Sequence, residues 1–207
     1  GRRIDLILQV GDLGTFLPTS RLDQATKRFS ERDPDELGFR EFAGPAPALA
    51  TLLDPRPLLV YIPGNHEDFE HLEQRARLAP ESEPIYPVSE DGRIQALRSG
   101  RVFSFSKDGE CVRVAGVAGV AKRAAKKSRH PWYHINDDDA LRLASGAAGR
   151  FDILISHDCP EGLWSRIGEP AGSPALRLLI EETRPRYAFF GHYDRAEEWA
   201  IGPTRVI

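Results

Sequence analysis

The chain has 207 residues, of which 29% are charged, and a formal net charge of -3. This length suits one domain with a full core, and the balanced charge excludes a general attraction to nucleic acid or membranes. No apolar run approaches the roughly 18 residues of a membrane helix, and no signal peptide is visible. Two cysteines, Cys111 and Cys159, do not make a disulfide framework, so the expected location is cytoplasmic.

Four short apolar runs each end on residues that can bind metal or move protons. The runs are rich in β-branched and aromatic residues, and three of the four are followed by Gly or Pro, which is typical of buried strands. They cover 4–10 before Asp12, 58–62 before Asn65 and His66, 151–155 before His157, and 187–190 before His192. Because α/β sheets bind ligands beyond the carboxyl ends of their strands, we expect these polar residues at one rim.

Helical stretches alternate with these strands, which predicts an α/β fold. The first expected helix runs through Phe29, and Ser20 with Asp23 resembles its capping box. Further helices are expected over 47–53, over 67–78, from an N-cap at Asn136, and from Pro174 to Thr183. Between 94 and 120 the pattern changes to short strands with a hairpin turn at 107–110. We find no domain boundary and expect one domain over 1–207.

The motifs together resemble the calcineurin-like metallophosphoesterase superfamily, and the likeness covers nearly the whole chain. The motifs are Gly11-Asp12, Gly64-Asn65-His66-Glu67, Ser156-His157 and Gly191-His192. Gly-Asn-His-Glu is the most specific of them, and Ser156 to Pro160 has a further likeness to the branch that includes lariat-debranching enzymes. The resemblance implies an α/β metallophosphoesterase sandwich, in which two stacked mixed β-sheets are flanked by helices. The first strand of that fold is absent from this sequence.

The chemistry explains why these residue types recur. Phosphate esters resist water because their charge repels a nucleophile, and metal ions offset that charge and activate a bound water. Carboxylate, amide and imidazole ligands without thiolate suit Mn, Fe or Zn, in one or two ions. By resemblance, Asp12 bridges two metals while Asn65, His157 and His192 complete the shell of the second. His66 lies beside the metals, where it stabilises phosphoryl charge or protonates the leaving oxygen.

Three departures from the family pattern concern the first metal. The Asp-x-His motif is absent, the last Asp of Gly-Asp-x-x-Asp is replaced by Thr15, and the second His of Gly-His-x-His is replaced by Asp194. Asp194 is an oxygen donor and is kept as a tentative ligand. The sequence therefore predicts either one strongly held metal or a weak first metal. Since the missing strand would be central to a sheet, we expect Asp-x-His upstream of Gly1.

A basic stretch follows the expected strand that ends at Val120. It contains Lys122, Arg123, Lys126, Lys127 and Arg129 and precedes Trp132 and Tyr133. Cations with aromatics suit phosphate backbones and stacked bases, so this stretch is a candidate substrate-binding rim. A solvated loop is the alternative. The expected partner is a phosphoester substrate, with nucleic acid a candidate; no membrane is expected, and the sequence does not indicate a protein partner.

Other polar residues are given structural interpretations. His71 is expected on a helix surface and His130 and His134 in loops. Asp137, Asp138 and Asp139 favour a helix N-terminus through its dipole. Glu67 is expected to orient its turn, and Cys159 to fill apolar space.

The resulting functional hypothesis is a metal-dependent phosphoesterase that acts on a phosphodiester rather than a phosphomonoester. The first alternative is a non-catalytic scaffold with a degenerate first metal site, which the missing Asp-x-His and Asp194 favour. A scaffold does not need the retained metal-site set, which opposes this alternative: Asn65, His66, His157 and His192. A phosphoprotein phosphatase is a further alternative.

Overall fold

The computed structural model describes residues 4–16, 21–34, 39, 57–122, 130–163, 165–166, 169–193 and 197–207. Within them the strands are Leu6–Gln9 (β1), Leu58–Tyr61 (β2), Ile85–Pro87 (β3), Ile94–Leu97 (β4), Arg101–Lys107 (β5), Glu110–Val117 (β6), Ile153–Ser156 (β7), Ser165–Arg166 (β8), Glu169–Pro170 (β9), Tyr187–Phe190 (β10), Trp199–Ile201 (β11) and Thr204–Val206 (β12). They form a four-stranded sheet, β1-β2-β4-β3, and a six-stranded sheet, β11-β12-β10-β7-β6-β5, beside the small hairpin β8-β9.

Both large sheets are mixed. In the first sheet β1, β2 and β4 run parallel and β3 runs antiparallel to β4. In the second, β6, β7, β10 and β12 run parallel, while β5 and β11 are antiparallel to their neighbours. The carboxyl ends of parallel neighbours meet at one edge, so the loops after β1 and β2, and those after β7 and β10, can converge.

Alternation along the strands shows how the sheets stack. In β2 and the residue that follows it, Val60 and Ile62 join a buried cluster with Phe103 and Ile155 of the second sheet. Their neighbour Tyr61 faces the other way, toward a helix. Side chains on successive strand residues point to opposite faces, so each sheet has one face toward its partner and one toward helices.

The described residues also form α-helices, three of which cover the outer faces of the sheets. They are Gln24–Ser30 (α1), Phe69–Leu78 (α2), Asp137–Ala144 (α3) and Pro174–Thr183 (α4). Leu72 of α2 packs on the first sheet, whereas Leu143 of α3 and Leu179 of α4 pack on the second. The expected sandwich of two mixed sheets flanked by helices is therefore confirmed. No helix among the described residues is long and apolar enough to cross a membrane.

Four of the expected helices are present, and two of them differ from the prediction at their starts. Asn136 caps α3 and Ser173 caps α4, so both are confirmed. The helix expected from residue 67 begins at Phe69, because the Asp68 side chain accepts a hydrogen bond from the His71 backbone as its N-cap. Asp23 itself caps α1, so the predicted capping box, which needs Ser20 in that role, is wrong. The expected helix at 47–53 lies outside the described residues.

The expected first strand of the family stays a prediction. Among the described residues β1 is the edge strand of its sheet, with β2 on one side.

Candidate metal centre

Four polar side chains meet where both sheets reach the same rim. Asp12 and Asn65 follow β1 and β2 of the first sheet, and His157 and His192 follow β7 and β10 of the second. One ligand atom each from Asp12, His157 and His192 lie within 4.8 Å of one another. The Nε2 atom of His157 is 3.1 Å from Asp12 Oδ2 and 3.1 Å from Asn65 Oδ1. The structure thus brings together the four residues that the sequence grouped.

The orientation of the His157 ring fits a cation bound between His157, Asp12 and Asn65. Its Nδ1 lies 2.8 Å from the carbonyl oxygen of Val10, which can only accept, so Nδ1 carries the proton. In the neutral ring Nε2 then presents a lone pair toward the oxygens of Asp12 and Asn65. Lone pairs that face one another repel unless a positive charge lies between them. This donor set of oxygen and nitrogen, with a second hydrogen bond fixing the imidazole, suits a divalent metal.

Electrostatics within the cluster agree with that fit. Burial opposes the charged form of Asp12, but the hydrogen bond and charge of His157 outweigh it and lower the pKa of Asp12. Burial likewise opposes the charged form of His157, yet Asp12 raises the pKa of His157 overall. Asp12 therefore favours positive charge at this point, which a bound divalent metal would supply.

Two of the four candidate ligands have strained backbones. Asp12 has φ 53° and His192 has φ 66°, in the left-handed region that few non-glycine residues adopt. Gly11 has φ 102°, a conformation that only glycine adopts readily. Strain of this kind concentrates at functional sites, where it aims a side chain that a relaxed backbone would turn away.

Gly64 allows the loops after β1 and β2 to approach closely. A Cβ at this position would lie 2.6 Å from the backbone nitrogen of Asp12 and 2.9 Å from His157 Cε1. Any residue larger than glycine at position 64 would therefore displace Asp12 or His157.

His66 lies beside the cluster and has a carboxylate partner that sequence reasoning missed. Its backbone nitrogen donates to Asp12 Oδ1 at 2.7 Å, and its Nδ1 is 3.0 Å from Asp23 Oδ2. Asp23 also accepts hydrogen bonds from the backbone nitrogens of Ala25 and Thr26 at the start of α1. Burial opposes its charge, but His66 and Thr26 lower the pKa of Asp23 to about 2.

Thr15 and Glu67 close the turn behind the cluster. The buried Glu67 carboxylate accepts hydrogen bonds from the backbone nitrogens of Leu13 and Thr15 and from the Thr15 hydroxyl, at 3.0–3.1 Å. Burial and the charge of Asp12 raise the pKa of Glu67 to about 7. Glu67 therefore orients the turn, as the sequence predicts.

A cavity of about 480 Å³ opens beside His66. Tyr133, Asp23 and Arg21 line it. The guanidinium of Arg21 lies 3.0 Å from carboxylate oxygens of Asp68 and Glu70. Burial, followed by the charges of Asp12 and Asp23, raises the pKa of Tyr133. The hydroxyl of Tyr133 therefore stays protonated and can donate a hydrogen bond within this cavity.

The structure confirms the predicted positions of some of the remaining residues and contradicts others. Lys122 is exposed. Arg123, Lys126, Lys127, Arg129 and Asp194 lie outside the described residues. His71 is buried, with Nε2 3.1 Å from the Val88 carbonyl oxygen, so the predicted surface position is wrong. Helical spacing alone does not reveal that His71 is on the face of α2 that meets the first sheet. Cys159 is buried, as expected of an apolar filler.

Comparison with known proteins defines the class. The family model for calcineurin-like phosphoesterases matches residues 1–193, and the chain belongs to this family. A lariat debranching enzyme of Drosophila melanogaster is 25% identical over 93% of this chain and 37% of its own length. The lariat debranching enzyme of Schizosaccharomyces pombe is 27% identical over 65% of this chain and 32% of its length. The chain thus spans about a third of the length of the curated relatives it matches.

Solved structures support the fold. A crystal structure of the protein TT1561 of Thermus thermophilus has a TM-score of 0.53 and 16% sequence identity, and the match covers 98% of this chain and 75% of that one. At this identity the likeness concerns the fold alone.

Proposed function

We propose that this domain is a metal-dependent phosphodiesterase. The observation that carries the proposal is the convergence of Asp12, Asn65, His157 and His192 at the strand ends, with three electron-pair donors directed at one point. A divalent metal held there, of the Mn, Fe or Zn class, would supply a bound water of lowered pKa and offset the charge of the phosphate.

His66 acts beside this shell. Asp23 fixes the ring through Nδ1, so the imidazole is held in one orientation, while the backbone nitrogen of His66 contacts Asp12. In that position it stabilises charge on the phosphoryl oxygens or donates a proton to the leaving oxygen. The carboxylate of Asp23 stabilises positive charge on the ring before the proton is given up.

The charge of the cavity favours a diester over a monoester. Among the described residues that line it, Arg21 is the only arginine or lysine, and Asp68 and Glu70 already pair with it. A monoester dianion carries more negative charge than a diester, and arginine commonly binds such a group through two parallel hydrogen bonds. A diester carries one negative charge and makes a smaller demand. The names of the two curated relatives, lariat debranching enzymes, support a nucleic acid substrate.

A matched pair of histidine variants tests the proposal. His66→Ala should lower hydrolysis of bis(4-nitrophenyl) phosphate by a factor of about 10²–10⁴ while metal content stays unchanged, because His66 is not a ligand. His157→Ala should lose metal as well as activity. Metal content is measured by elemental analysis after reconstitution with Mn, Fe or Zn. Loss of metal from His66→Ala would instead make His66 a ligand.

The same experiment decides between enzyme and scaffold. A folded wild-type protein that binds metal but hydrolyses neither diesters nor monoesters would contradict the enzymatic proposal and favour a non-catalytic interaction protein. Faster hydrolysis of 4-nitrophenyl phosphate than of the diester would reverse the substrate preference.

A further inference from the structure

A second, larger cavity opens on the same rim as the candidate metal centre. Its volume is about 780 Å³, within the range of about 300–1,000 Å³ that small-molecule sites occupy. Pro63, Leu97 and Ala118 line it, at or just beyond the carboxyl ends of β2, β4 and β6. Gly119 donates to the Pro63 carbonyl oxygen at 3.0 Å, which joins the loops after β2 and β6 at this point. We call this space the rim cavity.

The rim cavity has a fixed positive charge. Arg98 donates to the carbonyl oxygens of Ala76 and Glu83 at 2.8 and 3.0 Å, and its guanidinium lies 4.9 Å from the centre of the Tyr86 ring. These partners are neutral, so they hold the side chain in place without cancelling its charge. A charge held in this way needs no reorganisation when an anion binds.

Further cations line the same space. The side chains of Arg101 and Lys122 have no charged or hydrogen-bonded partner within the described part of the chain. Arg142 pairs with Asp139 at 2.8 Å, and Glu81 is the other carboxylate in the lining. Positive side chains therefore outnumber negative ones, which suits an anionic ligand.

Flat rings lie between the rim cavity and the cavity beside His66. His130 lines both cavities and stacks on Phe69, with ring centres 4.6 Å apart. Trp132 lines the rim cavity and meets His130 edge to face at 5.8 Å. A chain that leaves the cavity beside His66 can thus pass His130 and reach a space with an indole ring and unpaired cations.

We propose that the rim cavity binds one nucleotide of the substrate strand, adjacent to the phosphodiester that is cleaved. Arg98, Arg101 and Lys122 would hold its phosphate, and the Trp132 ring would stack on its base, since base–aromatic stacking tolerates any sequence. A lone phosphate would fill a small part of 780 Å³. This inference rests on the proposed phosphodiesterase function and adds a nucleic acid subsite to it.

Charge reversal tests the subsite. The double variant Arg101→Glu/Lys122→Glu should raise KM for a short single-stranded oligonucleotide by at least about tenfold, because attraction becomes repulsion. The kcat/KM for bis(4-nitrophenyl) phosphate should stay within about twofold, because that substrate is too short to reach both cavities. The slope of log K against log salt for oligonucleotide binding should become shallower by about one, because one phosphate contact is lost. Arg150→Glu is the matched control, since Arg150 is exposed and precedes the amino end of β7, on the opposite rim.

A binding measurement keeps this test separate from the test of catalysis. Fluorescence anisotropy of a labelled oligothymidylate should show weaker binding by the double variant and by Trp132→Ala, whether or not the protein hydrolyses diesters. Failure of the wild-type protein to cleave any diester would contradict the proposed function alone. Equal oligonucleotide binding by wild type and double variant, or equal losses on both substrates, would overturn the subsite. If the double variant lost binding of adenosine monophosphate while its KM for the oligonucleotide stayed unchanged, the subsite would also be overturned. The rim cavity would then be a separate mononucleotide site.

Discussion

The Nδ1 atoms of His157 and His66 contact different kinds of partner. This difference supports different roles for the two histidines. A neutral carbonyl, that of Val10, fixes His157 and leaves its Nε2 lone pair for a metal. A carboxylate, that of Asp23, fixes His66. A carboxylate stabilises positive charge on an imidazole, as a proton donor requires, whereas a ligand needs a neutral ring. Two histidines that look alike in sequence are thus prepared for different chemistry.

The first prediction concerns Asp23 as a positioning residue. Asp23→Asn should lower kcat for diester hydrolysis by about 10–100-fold, since the amide orients His66 poorly and does not stabilise its charge. KM and metal content should change little, which distinguishes positioning from ligand loss. Asp138→Asn, at the start of α3 and away from the metal centre, is the control. Equal kcat values for Asp23→Asn and wild type would remove Asp23 from the mechanism.

At the scale of elements, the predictable parts of the site are the strand ends. Short apolar runs predict where β1, β2, β7 and β10 stop, and Asp12, Asn65, His157 and His192 follow within a few residues. Asp23 was not predictable as a partner of His66, because the contact joins two helix-preceding segments remote in sequence. The signal that was available is its position as an N-cap, which places a carboxylate at the start of α1.

The second prediction concerns how α1 is attached. The pKa of Asp23 is lowered from 3.8 to about 2 in the folded protein, so its ionised form stabilises the fold above about pH 4. That contribution should be lost as pH falls from about 4 toward 2. Urea unfolding should therefore show wild type more stable than Asp23→Asn at pH 6, with the difference narrowing as pH falls below 4. A difference that is constant over this pH range would mean that the carboxylate contributes through shape and not through charge.

At the scale of the whole molecule, the metal centre lies across the contact between the sheets. Asp12 and Asn65 belong to the first sheet, and His157 and His192 to the second. The sheets approach closely at Gly116 of β6, where a Cβ would lie 2.7 Å from Ile62 Cδ1 of the opposite sheet. The spacing of the two sheets therefore sets the spacing of the ligands.

The third prediction follows from that spacing. Gly116→Ala should destabilise the fold by about 1–3 kcal/mol through overpacking, and should also weaken metal affinity because the sheets move apart. Gly92→Ala is the control: with φ 71° it strains a turn, but its Cβ meets nothing within 4 Å. It should lower the melting temperature without changing metal affinity. Equal metal affinity for wild type and Gly116→Ala would show that the ligands do not depend on this contact.

The distribution of the ligands along the chain also has a kinetic consequence. The strands of the first sheet all precede those of the second, so no donor pair from opposite sheets can form until both halves have folded and docked. An ion bound between the two halves would therefore be expected to stabilise the native state more than the transition state for folding. Interactions absent from the transition state slow unfolding and leave the rate of folding nearly unchanged. We therefore expect added divalent metal to lower the unfolding rate of the protein and to leave its folding rate nearly unchanged.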